Sequence, residues 1–263
     1  MTVTTVWRVV LVRSPMPPHS IWRCSIGWSS ESFGWYSSLE RIEVQGWNGA
    51  ECAARLTGVS QPTWQQCVVW RDPHDDEAMW RADETDLLPG PAIGTSVLAT
   101  DPSLPDDWWQ SFNASLDALA SQHTTRTATP DTMTISQDLV TQTIQRSLPE
   151  ATRTSTEQWQ PAHADLNWAN MTAPRFCLFD WEDWGMAPRG LDAASLWGNS
   201  LAVPELAAHV RHERHHDLDS RDGKVMMLFV CAKILAPDAH PEDPRLAPAR
   251  DTATKIIAEL EAS

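Results

Sequence analysis

The stretch 161–185, PAHADLNWANMTAPRFCLFDWEDWG, constrains this chain more than any other part of it. It carries H-x-D-x-x-x-x-N as His163, Asp165 and Asn170, then D-x-E as Asp180 and Glu182. From the chain's own composition this combination is expected far less than once by chance, so it reads as a working constellation. The spacing also predicts a shape. Ala173-Pro174-Arg175 supplies turn chemistry, and FCLF, residues 176–179, runs back as a strand. A hairpin about Pro174 would return Asp180 to within about 7 Å of Asn170 along the strand, at 3.3 Å per residue. An amide and a carboxylate then converge where a hard cation can be held by oxygen ligands. Asp180 and Glu182, two apart, point the same way in an extended chain, and Asp165 faces the site from the preceding loop.

On either side of this stretch the chain changes character. Its first hundred residues are short alternating segments rich in Trp, Val and Ser, broken by Pro and Gly, and read as sheet. Strand candidates are SIWRCSIGW, FGWYSSLERIEVQ, CVVW and AMWRADE, with a helix over GAECAARLTG that Gly58 stops. The turn-rich LLPGPAIGT, residues 87–95, is the best boundary. After it the period becomes helical, with Trp109, Phe112, Leu116 and Leu119 on one face and Leu139, Val140, Ile144 and Leu148 marking a second helix. Further helices are expected from Leu191 to about His216, from Lys224 to Leu235, and from about Pro248 onward. The expected class is α+β, with a sheet-rich part over residues 1–88 and a larger helical part over 89–263.

Composition narrows the partners. With 42% hydrophobic and 21% charged residues the chain has ordinary globular composition, which excludes disorder and fibrous architectures. Lys+Arg 20 against Asp+Glu 35 gives a net charge of -15, which repels nucleic acid and anionic membrane and fits a basic ligand or metal ions among carboxylates. Five widely spaced cysteines without a C-x-x-C pair fit free thiols in a reducing compartment. VWRVVLV, interrupted by Arg8, is too short for a signal-peptide core or a membrane span. The expected location is the cytoplasm.

HADLNWAN followed by FDWEDWG resembles the catalytic and metal-binding segments of the aminoglycoside phosphotransferase and choline kinase-like group, small-molecule kinases related to protein kinases. The resemblance is specific over residues 161–197 and weak over the first hundred. It implies a protein kinase-like two-lobe fold, with a small antiparallel-sheet N-terminal lobe that binds nucleotide and a larger, mainly helical C-terminal lobe. By the same resemblance Asp165 orients and deprotonates a substrate hydroxyl, His163 braces its loop, and Asn170 and Asp180 bind Mg²⁺ bridging the phosphates of ATP. Glu182 adds a direct or indirect metal contact, and Asp192 buttresses the loop. The acceptor that the resemblance implies is a small molecule, and the net charge is compatible with a cationic one.

One departure stands out. Such N-terminal lobes carry a strand lysine paired with a helix glutamate, yet Lys224, Lys233 and Lys255 are the only lysines here. Matching RIEVQ to that strand puts Gln45 in the lysine's place and makes Glu51 the helix glutamate. Arg41 and Arg55 are candidates to supply the missing charge, and GWSSESFG, with Ser29 and Ser30, is either a serine-rich phosphate loop or an ordinary hairpin. Two other readings stay open: a kinase-like binding module without efficient transfer, and a metal-dependent hydrolase using the same carboxylates. His209, His212 and His216 share a helix face and could in principle bind Zn²⁺, although a solvated helix is the simpler reading. The Trp108-Trp109 and Trp181-Trp184 pairs are expected in packing. No serine sits in a hydrolase-type arrangement.

Overall fold

The computed structural model describes residues 5–13, 33–36, 46–72 and 75–262. Four strands form the first sheet: β1 (Thr5–Arg13), β2 (Phe33–Tyr36), β3 (Trp64–Asp72) and β4 (Asp75–Asp86), in the order β2-β1-β4-β3. β4 pairs antiparallel with both β1 and β3, whereas β1 and β2 pair in parallel. Helix α1 (Gly49–Ala53) lies between β2 and β3 in sequence. It is shorter than the periodicity of GAECAARLTG predicts, although Gly58 does take the positive φ of 76° expected of a stop.

The remainder is mainly helical. It comprises α2 (Asp106–Ala120), α3 (Gln137–Ser147), α4 (Leu191–Asn199), α5 (Pro204–Glu213), α6 (His215–Leu218), α7 (Arg221–Ile234) and α8 (Leu246–Glu261), with a two-stranded ribbon of β5 (Trp159–Ala162) and β6 (Gly185–Pro188). Local chemistry explains the starts. Asp106 and Asp107 sit in the first turn of α2, where the dipole favours them. Ser136 and Ser220 cap α3 and α7, each accepting from a backbone N–H three residues on. The single helix expected over 191–216 is three, because the chain turns after Asn199 and restarts with Pro204 in the first turn of α5.

α7 is buried on nearly every face, from Val225 through Ile234, and is the centre against which α3, α4 and α8 pack. α2 turns Trp108, Trp109, Phe112, Leu116 and Leu119 inward. Trp108 meets Phe112, Trp168 and Phe176 at ring separations of 5.5, 6.3 and 5.1 Å, and its Nε1 donates to the Thr172 carbonyl at 2.8 Å. The core thus grips the segment that the sequence singles out. No helix of the described residues is long and apolar enough to cross a membrane. Cys52, Cys67, Cys177 and Cys231 are free thiols, and burial pushes Cys177 and Cys231 up to about 12.

Candidate active site

The hairpin predicted around Pro174 is present. Met171 bridges Leu178 antiparallel, Thr172 N donates to Cys177 O at 3.1 Å, and Phe179 N donates to Asn170 O at 3.1 Å. Asp180 therefore follows directly on the residue paired with Asn170. Both flanks are tied down. On one side Leu178 N donates to Ser60 O, and on the other Ile93 N, from the turn-rich 87–95 segment, donates to Met171 O at 2.9 Å. Phe176 to Phe179 is buried but joins no longer strand.

Asp165 is held by two amides. Asn170 Nδ2 donates to its carboxylate Oδ2 at 3.0 Å and to its backbone carbonyl at 2.8 Å. Asn167 Nδ2 donates to Oδ1 at 3.2 Å and to the same carbonyl at 3.0 Å, while Asn167 Oδ1 accepts from Ala169 N and caps the short helical turn Trp168–Asn170. Both oxygens of the Asp165 carboxylate are thus fixed in orientation by side chains of its own loop. Asn167 was not among the residues singled out above, although a second asparagine inside the H-x-D-x-x-x-x-N spacing was there to be seen.

His163 is fully buried. Its Nε2 lies 2.9 Å from the Phe179 carbonyl, which can only accept, so Nε2 carries the proton. This bond ties the Asp165 loop to the residue before Asp180. Asp192, at the start of α4, accepts from His163 N at 2.7 Å and from Ala164 N at 2.9 Å. Burial raises the Asp192 pKa, opposed by His163, by those two N–H groups and by Arg214. Ala164 and Asp180 both adopt left-handed backbone, with φ of 68° and 73°. Such conformations cost on the order of 1–3 kcal/mol each and persist where surrounding bonds over-determine them. Asp192 does this for Ala164.

Asp165, Asp180 and Glu182 crowd carboxylates around Asp183. Burial first, then the charges of Glu182, Asp165 and Asp180, lift Asp183 to about 8, against a hydrogen bond from Thr129 Oγ1 at 2.6 Å. A divalent cation fits this donor set. With Asn170 Nδ2 spent on Asp165, the amide Oδ1 is the atom left to face a cation beside the Asp180 carboxylate. Among the described residues no three His, Cys, Asp or Glu side chains enclose a metal by themselves.

The segment that carries Asp180 is fixed to the sheet half. A Cβ on Gly49 would lie 2.3 Å from Trp181 O and 2.5 Å from Glu182 Cα, so only glycine permits this approach. Trp184 Nε1 donates to Gly49 O at 2.9 Å. Arg126 stacks over Trp184 and donates to the Trp184 and Glu182 carbonyls and to Asn48 Oδ1. Two residues beyond Gly49, Glu51 Oε2 accepts from Arg81 Nη2 at 3.0 Å. Arg81, on β4, is buried and makes a forked pair with Asp83, which Trp64 Nε1 also reaches. Burial alone would lower the Arg81 pKa, but the two carboxylates raise it further. The cation beside Glu51 is therefore Arg81. Arg55 is exposed, and Arg41, Gln45, Ser29 and Ser30 lie outside the described residues.

His209 and His212 lie on α5 and His216 on α6, not on one helix, and all three are exposed, as the solvated reading expects. Arg214 is buried and pairs with Asp217 and Asp117, and the histidines converge on no metal site. Trp181 and Trp184 are packing residues, with Trp181 edge-on to His163 at 4.7 Å.

No protein-family model matches the sequence, and no curated protein matches it. Solved structures do resemble the fold. An apo thermostable mutant of aminoglycoside phosphotransferase APH(4)-Ia aligns with a TM-score of 0.51 and 13% identity, over 83% of this chain and 82% of that one. A second structure of aminoglycoside phosphotransferase APH(4)-Ia gives 0.50 and 13%, over 83% and 81%. A choline/ethanolamine kinase family protein from Mesorhizobium loti aligns over 84% and 80% at 15% identity, with a TM-score of 0.48. The chain has the fold of the aminoglycoside phosphotransferases.

Proposed function

We propose that the chain is a phosphotransferase that uses a nucleoside triphosphate, with Mg²⁺, to phosphorylate a hydroxyl of a small molecule. The observation that carries this reading is Asp165, each carboxylate oxygen of which accepts from an amide, with one of those amides, Asn170, paired through the backbone to the residue before Asp180. Phosphoryl transfer asks the protein for this kind of positioning and for charge neutralisation rather than for a covalent intermediate. The acceptor hydroxyl is oriented by Asp165 and gives it a proton as its oxygen bonds the γ-phosphorus. The bond from that phosphorus to the β–γ bridging oxygen breaks, and the nucleoside diphosphate leaves. His163 and Asp192 hold the loop. Asn170 and Asp180, with Glu182 adding negative charge, would hold the cation, whose chemistry is to neutralise phosphate oxygens.

In this reading Arg81 serves where a lysine is absent. Its Nη1, with two N–H groups, has no partner among the described residues, while the rest of the guanidinium is fixed by Asp83 and Glu51. Arg81→Lys keeps a charge against Asp83 but removes the fork. Affinity for a non-hydrolysable ATP analogue is then expected to fall about tenfold, the loss of one charge-assisted hydrogen bond. Unchanged calorimetric affinity would place the phosphate cation elsewhere.

The primary test is titration of the protein with that analogue, with and without Mg²⁺. Mg²⁺-dependent binding is expected, and its absence at millimolar nucleotide refutes the assignment. The same titration reads Asp183. With its folded-state pKa near 8, against 3.8 ordinarily, Asp183 keeps its proton at pH 7. A divalent cation arriving among these carboxylates favours the ionised form. Binding at pH 7 should therefore release up to about one proton, seen as a binding heat that varies with the buffer's ionisation enthalpy, and affinity should rise as the pH approaches 8.

A further inference from the structure

Beside Asp165 lies a cavity of about 260 Å³, bounded by the Ala164–Asn167 loop on one side and by α7 and the turn before α8 on the other. Lys233 and Arg245 both line it. In a chain with 20 basic against 35 acidic residues, two cations turned into one small cavity next to the proposed base are not explained by the surface field. We propose that this pocket holds the acceptor by an oxyanion, a carboxylate or a phosphate ester, carried on the same molecule as the reacting hydroxyl. The proposal rests on the phosphotransferase reading and names its acceptor class.

The two cations differ in a way that suits this role. Arg245 is fixed. Its Nε and Nη2 donate to Asp243 and its Nη1 to Asn199 Oδ1, which leaves two of its five N–H groups without a partner among the described residues. A guanidinium held in this manner loses little freedom on meeting an oxyanion. Lys233 is exchangeable. Its ammonium pairs with Asp131, whose side chain is 57% exposed, and an ion pair so open to water is worth little. A ligand oxyanion can replace Asp131 on Lys233 while the Asp131 carboxylate turns to solvent. Counting Asp243 with Asp131 and Asp165, three carboxylates stand against the two cations, and once Asp131 turns to solvent Asp165 and Asp243 balance Lys233 and Arg245, so the occupied pocket offers no net negative field to a polycation. Its volume also falls below the range of roughly 300–1,000 Å³ typical of drug-sized ligands, which favours a compact acceptor. Held at one end by Lys233 and Arg245, such a molecule presents its hydroxyl to Asp165. That hydroxyl oxygen gains the γ-phosphoryl group of the nucleotide and its proton passes to Asp165.

Two measurements test this. The first is nucleoside diphosphate release from Mg·ATP with three sets of acceptors: hydroxy acids (glycerate, gluconate), sugar and polyol phosphates (glucose 6-phosphate, glycerol 3-phosphate), and non-acidic compounds (glycerol, choline, kanamycin). Saturable turnover is expected with an acidic acceptor, and the set that works tells carboxylate from phosphate. Lys233→Gln should raise KM for that acceptor about 10- to 100-fold, with the nucleotide KM unchanged. Turnover of a non-acidic acceptor alone, or a KM indifferent to Lys233→Gln, overturns the proposal. Because Arg245 also ties the turn before α8 to α4, Lys233→Gln is the primary variant and Arg245→Gln the supporting one. The second measurement needs no turnover: thermal shift with gluconate and with glycerol 3-phosphate. A rise in Tm that Lys233→Gln abolishes supports the pocket, and no rise at tens of millimolar, or an equal rise in the variant, refutes it. Failure of the ATP analogue to bind while these anions still raise Tm would remove the phosphotransferase reading and leave the oxyanion pocket standing.

Discussion

Asp165→Asn is expected to lower acceptor-dependent nucleoside diphosphate release by about 10²- to 10⁴-fold, the usual range for loss of a general base, with the affinity for the ATP analogue within about threefold of the parent. The split follows from where Asp165 sits. Its carboxylate lines the proposed acceptor cavity and is held by Asn167 and Asn170, so an amide of the same shape fills the same space and keeps one of these two bonds, with both amide bonds to the Asp165 carbonyl intact, while giving the hydroxyl proton nowhere to go. Steady-state kinetics with calorimetry on the same preparation decides the matter. Turnover within tenfold of the parent would remove Asp165 from the role of base.

Asp180→Asn should act on the other substrate. It removes a charged oxygen from the proposed cation site, so the Mg²⁺-dependent part of nucleotide binding should fall by 10- to 100-fold or more, the loss that even an outer partner of a metal ligand can cause. Stability should move the opposite way. Asp180 lies among Glu182, Asp183 and Asp165, whose mutual repulsion is part of what raises Asp183, and asparagine tolerates a φ of 73° as well as aspartate does. An equal or higher Tm together with lost Mg²⁺ dependence is the expected signature. A variant that merely unfolds, or one that binds nucleotide with Mg²⁺ as the parent does, contradicts it.

Both predictions concern residues visible in the sequence, and the reason is local. His163, Asp165, Asn170 and Asp180 lie on one hairpin of fewer than twenty residues, so their spacing encodes their geometry directly. The helices α2 and α3 are legible for a similar reason, since each carries its apolar face at helical period, whereas α7 shows as an unbroken apolar run. What was missed depends on distant partners. Arg81 meets Glu51 across 30 positions, and Arg126 reaches Glu182 across 56, with no motif to link either pair. β1 escaped notice because its apolar run, cut by Arg8, matches neither a clean alternation nor a helical period. The split of 191–216 into three helices was signalled by Pro204 but outweighed by the continuing apolar pattern. The proposed acceptor pocket draws on the Ala164–Asn167 loop, the Pro130–Thr132 turn, α7 and the turn before α8, and no one-dimensional pattern brings those together.

The indole of Trp108 sets how the molecule must come apart. Its bond to the Thr172 carbonyl joins the deepest aromatic cluster to the hairpin that carries Asn170, and Trp168, Met171 and Leu178 of that hairpin are themselves fully buried. The hairpin cannot open alone without exposing those side chains, so this hairpin and the helical core belong to one cooperative unit. Amide hydrogens at Phe179 and Thr172 should then exchange with solvent only through global unfolding, as slowly as those of α7. A protein built in this way keeps its chemistry intact up to its melting transition and loses it all at once.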